Sequence, residues 1–319
     1  MAVFTALTRD DAAVLLGRYA LGTLVDLQGI TTGIENTNYF LTTSSGAYVL
    51  TLFERLSARD LPFHLDLMRH LARRGLPVPD PIDALDGRMQ VQVKAKPATI
   101  VTRLPGRAET APTEAHCVQV GQFLARMHLA AADFPTFQPV PLGVGWWKAI
   151  VPRLERHVSD DVFASLAEEV VFQDSFHRSE AYERLPSGPC HADLFRDNVL
   201  FDDGRIGGVL DFYFAGCTIW LFDVAVAVND WCVLDDGVTL EPARTGALLR
   251  AYDALRPFEE AERRLWRSVL RAAALRFWIS RLHDRHLPRA AHLLQPHDPG
   301  RFERMVHDRA HAPEIPWTS

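Results

Sequence analysis

The spacing of apolar residues changes near residue 104. Before it, "TLVDLQGITTG", "NTNYFLTT" and "AYVLTLF" carry short alternating or continuous apolar stretches divided by polar turns, which predicts three strands. Upstream, "LTRDDAAVLLGRYA" predicts a helix with Thr8 as its N-cap. In "LPFHLDLMRHLARRG", Leu61, Leu65, Met68 and Leu71 fall on one helical face and Gly75 ends the helix. "MQVQV" and "PATIVTRL" then predict two more strands. After the Pro-Gly break at 104–107 the helical period takes over, as in the stripe Val120, Phe123, Leu124, Met127 and Ala131. Further helices are predicted near 145–157, 160–184, 221–233, 241–255 and 259–285. Among them, "NVLF", "DDG" and "RIGGVLDF" read as a β-hairpin. The expectation is an α+β, bilobal chain, with a small β-rich lobe over 1–103 and a larger, mainly helical lobe over 104–319.

Composition narrows the partners rather than the fold. At 319 residues, with 48% hydrophobic and 23% charged residues, the chain fits an ordinary globular protein of one or two domains. A formal charge of −6 gives no reason to expect nucleic acid or an anionic membrane. No apolar run nears the roughly 20 residues that span a bilayer, and the first residues lack the basic-then-apolar pattern of a signal peptide. A cytoplasmic location is therefore expected. Cys117, Cys190, Cys217 and Cys232 lie far apart without a CxxC pair, which predicts reduced thiols. Three lysines, Lys94, Lys96 and Lys148, stand against 31 arginines.

The densest chemistry lies in "PCHADLFRDNVLF", where His191, Asp193 and Asn198 keep the spacing H-x-D-x-x-x-x-N. Asp211 follows in "GVLDF", thirteen residues after Asn198, at the end of an apolar segment. Phosphoryl transfer from ATP needs a carboxylate to orient an attacking hydroxyl, and oxygen ligands for Mg²⁺. Protein kinases supply both with H-x-D-x-x-x-x-N, a strand and then D-F-G, and "LDF" stands here in place of the last motif. His191 is expected to prop the loop rather than touch substrate.

These motifs resemble those of aminoglycoside and choline kinases. The chain is more similar still to the homoserine kinases of that superfamily, through "TTGIENTNYFLTT", "YVLTLFERL", "GLPVPDPI", "LARMHLA", "CHADLFRDNVLFDDG", "DFYFAG", "VNDWC" and "ALRFWISRLHD" in that order. The resemblance implies a protein-kinase-like fold, with nucleotide bound by the N-terminal lobe. It also implies the reaction of L-homoserine with ATP to give O-phospho-L-homoserine and ADP, a step toward threonine. It makes Asp193 the catalytic base and Asn198 and Asp211 the Mg²⁺ ligands. It places Gly29 and Gly33 in the nucleotide loop, and the backbone of Thr102, Arg103 and Leu104 beside adenine.

One departure stands out. Kinases place a Lys on the third strand and a Glu on the next helix to steady the phosphates, but those positions fall on Thr51 and near His64. Lys94, Lys96, Arg55 and Arg103 are the nearby cations that could substitute. For the acceptor, Asp230 at a helix C-terminus, where an acid is electrostatically unfavourable, suggests an ammonium ligand, with Trp231 beside it. Asp223, in the first turn of the same helix, is expected to be structural. Arg276 shares a stripe with Leu265, Val269, Ala272 and Ala273 and so needs an anion, either an internal acid or a substrate carboxylate. Arg264, Arg267 and Arg271 read as a solvated face. Glu35 and Asn38 are further substrate candidates. Two other functions remain open on sequence: a kinase of another small hydroxyl compound, such as an aminoglycoside or a choline-like alcohol, and a nucleotide-binding module without turnover.

Overall fold

The computed structural model describes residues 4–31, 35–287, 298–313 and 317. It divides into two compact units, one of residues up to Arg107 together with Leu200–Tyr213, the other of Ala108–Val199 with Phe214 onward. In the first, Thr8 caps α1 (Arg9–Leu16) by accepting from the Asp11 amide while the Asp11 carboxylate accepts from the Thr8 amide. Three strands follow, β1 (Leu24–Ile30), β2 (Thr37–Thr43) and β3 (Gly46–Leu52), then α2 (Leu61–Arg73), β4 (Val91–Val93) and β5 (Lys96–Thr102). This is the predicted order of three strands, a helix and two strands. The strands form one antiparallel sheet in the order β1-β2-β3-β5-β4. Strand alternation divides its side chains between two faces. One face buries Tyr39, Leu41, Leu50, Leu52, Ala98 and Ile100 with Leu15, Leu16 and Tyr19.

The hairpin of β8 (Val199–Asp202) and β9 (Arg205–Val209) turns at Asp203 and Gly204, both at positive φ (45° and 75°) as a tight primed turn requires. With β6 (Arg107–Ala108) it forms a three-stranded sheet. From Leu200 the hairpin packs with the first unit, although it lies beyond residue 103 in sequence. The reason is close backbone approach: a Cβ on Gly106 would meet the Phe201 carbonyl at 2.6 Å, and one on Gly207 the Pro105 carbonyl at 2.6 Å.

The second unit is mainly helical. Its helices are α3 (Glu114–Ala131), α4 (Val144–Leu154), α5 (Asp160–His177), α6 (Glu180–Glu183), α7 (Trp220–Trp231), α8 (Pro242–Asp253), α9 (Glu260–His286) and α10 (Gly300–His311). The predicted helix over 160–184 is two, because Ser179 caps a new start at the Tyr182 amide. α3 meets α8 where a Cβ on Gly121 would lie 2.2 Å from the Leu248 carbonyl. α9 packs against both α7 and α10. A short antiparallel ladder joins β7 (Ser187–Cys190) to β10 (Gly216–Ile219) and leads into the His191 loop. All four cysteines are free thiols and three are buried. Among the described residues no helix is long and apolar enough to cross a membrane.

Candidate active site

β7 ends at Cys190, and the chain from His191 to Asn198 is then held almost amide by amide. The Asp223 carboxylate on α7 accepts from the His191 amide (2.7 Å) and the Ala192 amide (2.8 Å). His191 Nδ1 accepts from the Asp193 amide (3.2 Å), which fixes that ring nitrogen as the unprotonated one. The Asp193 carbonyl accepts from the Phe195 amide (2.8 Å), and the Asp230 carboxylate accepts from the Arg196 amide (2.9 Å). Asn198 closes the loop, donating its amide to the Phe195 carbonyl (3.0 Å) and its Nδ2 to the Asp193 carbonyl (2.8 Å). His191 is fully buried and, as expected, supports the loop. Ala192 sits at φ 62°, a left-handed conformation that costs energy for a residue with a Cβ and that the surrounding bonds must enforce.

Asp223 and Asp230 lie seven residues apart on one face of α7, so one helix grips both halves of the loop. Asp223 is completely buried. Burial alone would raise its pKa, but hydrogen bonds and charge from His128, with the loop amides, hold it below the usual carboxylate value. His128 Nε2 lies 3.2 Å from Asp223, and its Nδ1 meets the Tyr252 hydroxyl at 2.8 Å. The ring stacks on Trp220 with its centroid 5.5 Å away. His128, Cys190 and Asp223 bring potential metal-ligating atoms within 4.8 Å of one another. These atoms are already hydrogen-bonded, and burial pushes the Cys190 thiol far above its ordinary value. The cluster is therefore a hydrogen-bonded node beneath the loop.

Asp193 presents its carboxylate from this scaffold. Oδ1 accepts from Arg276 Nη1 at 3.0 Å, and Oδ2 lies 3.4 Å from Asn198 Nδ2. Of the two anions open to Arg276, the structure supplies the internal one. Asp230 is also accounted for internally. Its oxygens receive Arg196 Nε (3.1 Å) and Nη2 (3.3 Å) as well as Arg301 Nη2 (3.3 Å), which corrects the argument that its position called for a substrate ammonium. Trp231 is fully buried and donates Nε1 to the Leu194 carbonyl (3.1 Å), so it lies under the loop rather than in an open pocket. Asp197 retains solvent contact, yet burial and the nearby Asp193 and Asp230 raise its pKa against the weaker pull of Arg281. Arg271 is not on a solvated face as expected; it pairs with the buried Glu169 and lies over the Phe172 ring.

In the first unit, cross-strand register aligns Asn38, Thr51 and Thr99 across β2, β3 and β5. Thr51 donates to Asn38 Oδ1 (2.8 Å) and hydrogen-bonds with the partly buried Tyr213, whose pKa burial raises strongly. The His64 ring meets Tyr213 edge-on at 6.2 Å. Burial lowers the His64 pKa to about 4, so it is neutral at pH 7. A neutral network thus occupies the place of the Lys-Glu pair. Lys96 cannot substitute for the missing lysine, because its register puts it on the opposite sheet face from Thr51, where it pairs with Glu54. Lys94 sits in the β4–β5 turn and pairs with Asp11 (2.9 Å). Arg103 shares the Thr51 face and lies 4.1 Å from the Phe40 ring centroid, while Arg55 pairs with Glu35 (3.0 Å). Gly29 lies within edge strand β1 opposite Tyr39, and Gly33 falls outside the described residues. The Thr102 amide is bound to the Asp80 carbonyl (3.0 Å), which removes it as an adenine donor, whereas the Leu104 peptide groups have no partner among the described residues. Asp211 occupies a second left-handed position, φ 60°.

Comparison with known proteins adds the following. The model of the phosphotransferase enzyme family matches residues 26–258. The chain is 56% identical over 328 residues to the homoserine kinase of Burkholderia ambifaria (strain MC40-6), covering 100% of this chain and 98% of that protein. It is 56% identical over 326 residues to the homoserine kinase of Burkholderia multivorans (strain ATCC 17616 / 249), covering 99% and 98%. Among solved structures it is similar to amicoumacin kinase hAmiN in complex with AMP-PNP, Ca2+ and Ami, with a TM-score of 0.71 and 17% identity over 98% of this chain and 96% of that one. That last likeness shows the kinase-like fold alone.

Proposed function

The chain belongs to the homoserine kinases of the phosphotransferase enzyme family, and from that premise we propose that it transfers the γ-phosphoryl group of ATP to the hydroxyl of L-homoserine. The products are O-phospho-L-homoserine and ADP. The observation that carries this reading is full-length identity of 56% to homoserine kinases together with a pinned Asp193 in the loop that the family motif designates. In this reading Asp193 orients the acceptor hydroxyl and accepts its proton. Asn198 and Asp211 are the residues to hold Mg²⁺. The donor set fits, since Mg²⁺ prefers oxygen ligands and Asn198, by donating its Nδ2 to the Asp193 carbonyl, leaves its carbonyl oxygen as the atom to offer. When bound, the metal neutralises charge on the transferring phosphates.

The neutral Thr51 network leaves phosphate charge to be met by other donors, and the candidates are Arg103 on the Thr51 face of the sheet and Arg55 just beyond β3. Leu104, whose backbone groups have no partner among the described residues, is the proposed contact for the adenine edge. The Thr102 amide is occupied by the Asp80 carbonyl, which supports Leu104 over Thr102 as the proposed adenine donor. Glu35 and Asn38 are engaged by Arg55 and Thr51 respectively, and remain weaker candidates for substrate contact. Asp223 and His191 support the loop. The proposed setting is cytoplasmic, in threonine biosynthesis.

An acceptor panel tests the reading. Purified protein with Mg-ATP should release ADP with L-homoserine, with the phosphorylated product identified by mass, and should release little with choline or an aminoglycoside. Chelating divalent metal should stop the reaction. ADP release that follows an aminoglycoside or choline instead of L-homoserine would favour the other small-hydroxyl acceptors.

A further inference from the structure

Arg276 does more than neutralise a buried charge. It projects from α9, which is otherwise apolar around it, with Ala272, Ala273, Leu275 and Ile279 buried. Its side chain is 1% exposed, against 16% for Asp193. The guanidinium lies 4.1 Å from the Phe277 ring centroid and 5.1 Å from that of Phe214, so two aromatic faces confine it. Phe277 also packs on Phe195 of the loop at 4.4 Å, which couples the same stretch of α9 to the loop backbone. From this confined position Arg276 reaches one oxygen of Asp193, Oδ1, at 3.0 Å.

We propose that Arg276 is a positioning residue for Asp193: it pins Oδ1 and thereby directs Oδ2 toward the acceptor hydroxyl. The proposal rests on Asp193 being the group that receives that hydroxyl. Asn198 adds a contact of 3.4 Å to Oδ2, too long to compete with an incoming hydroxyl. A carboxylate on a free two-atom side chain rotates between wells, and a misplacement of about 1 Å can reduce rate by about a hundredfold. In a loose phosphoryl-transfer transition state, position of the base matters more than strength of the base. An arginine that fixes the carboxylate in one orientation fits that requirement. Lysine would keep the charge but lose the planar stacking between the two phenylalanines.

Steady-state kinetics of Arg276→Met and Arg276→Lys, with thermal melts of each, test this. The acceptor is whichever compound the unaltered protein phosphorylates, so failure of the homoserine assignment would appear first, in the unaltered protein. Arg276→Met should lower kcat by about a hundredfold, with KM for acceptor and for ATP each changed less than about threefold. Arg276→Lys should recover part of the loss, remaining roughly tenfold below the unaltered protein. If Arg276→Met fails to fold, the Lys variant decides, and an unchanged kcat in it overturns the proposal. A rise in acceptor KM at unchanged kcat would make Arg276 a substrate ligand instead. A lower melting temperature with unchanged kinetics would make it structural only. Either result overturns the positioning role.

Discussion

Thr51 is the residue at which this chain departs furthest from kinase chemistry, and its surroundings explain why the change is tolerated. A buried lysine without its carboxylate would be costly. Here neither member of that pair is present, and Asn38, Thr51 and Tyr213 satisfy one another as neutral groups. Restoring Lys alone should therefore harm the fold. Thr51→Lys is expected to lower stability by about 2–4 kcal/mol, with part of it regained in Thr51→Lys/His64→Glu, as a double-mutant cycle of chemical denaturation would read. An additive cycle would mean the two positions do not meet. His64 adds a pH signature. Its folded pKa of about 4 lies below the unfolded value of 6.5. The unfolded chain therefore binds the extra proton between those values, and stability that is full above pH 6.5 falls as pH drops toward 4, by about 3 kcal/mol in all. His64→Leu should flatten that slope in a pH series of melts. The departure at Thr51 was legible in sequence. The neutral network replacing the pair was not, because Tyr213 lies far along the chain and reaches Thr51 only after the hairpin folds back.

At the scale of elements, α7 is the part that turns a loop into a site. The seven-residue spacing of Asp223 and Asp230 sets them on one face of that helix. What the spacing could not show was that both bind amides of the His191–Asn198 loop, since an acid in the first turn of a helix and one at its end each have simpler local explanations. Asp223→Ala would strand the His191 and Ala192 amides and leave His128 without its carboxylate, all in a fully buried environment. The expected cost is about 3–5 kcal/mol, with loss of turnover before loss of helix content. A variant with unaltered melting temperature would show that the loop holds itself. Two other elements were missed for ordinary reasons. The β7–β10 ladder has only four residues a side and includes Pro189. In α10, the buried face of Phe302, Met305, Val306 and Arg309 lies among charged residues, so the apolar period is faint. Arg309 belongs to that face because Nε donates to Asn229 at 3.0 Å, a partner no local pattern reveals.

Across the whole molecule, the change from strand period to helix period predicted the order of elements, and the structure follows it through β5 and then through α3, α4, α5, α7, α8 and α9. The β8–β9 hairpin shows the limit of reading along the chain, since it lies about a hundred residues beyond the first unit's other strands while its packing partners are Leu104, Pro105 and Gly106. The Asp193–Asn198 spacing was legible for a related reason: the two residues lie five apart in one loop, and local contacts leave local traces. Asp193, pinned in that loop, is the residue proposed to serve phosphoryl transfer to L-homoserine. Comparing Asp193→Asn with the unaltered protein in Mg-ATP and L-homoserine tests it most directly. The account predicts a fall in kcat of about 10²–10⁴-fold, unchanged melting temperature within a few degrees and unchanged affinity for Mg-ATP. Turnover of L-homoserine by Asp193→Asn at the unaltered rate would contradict it.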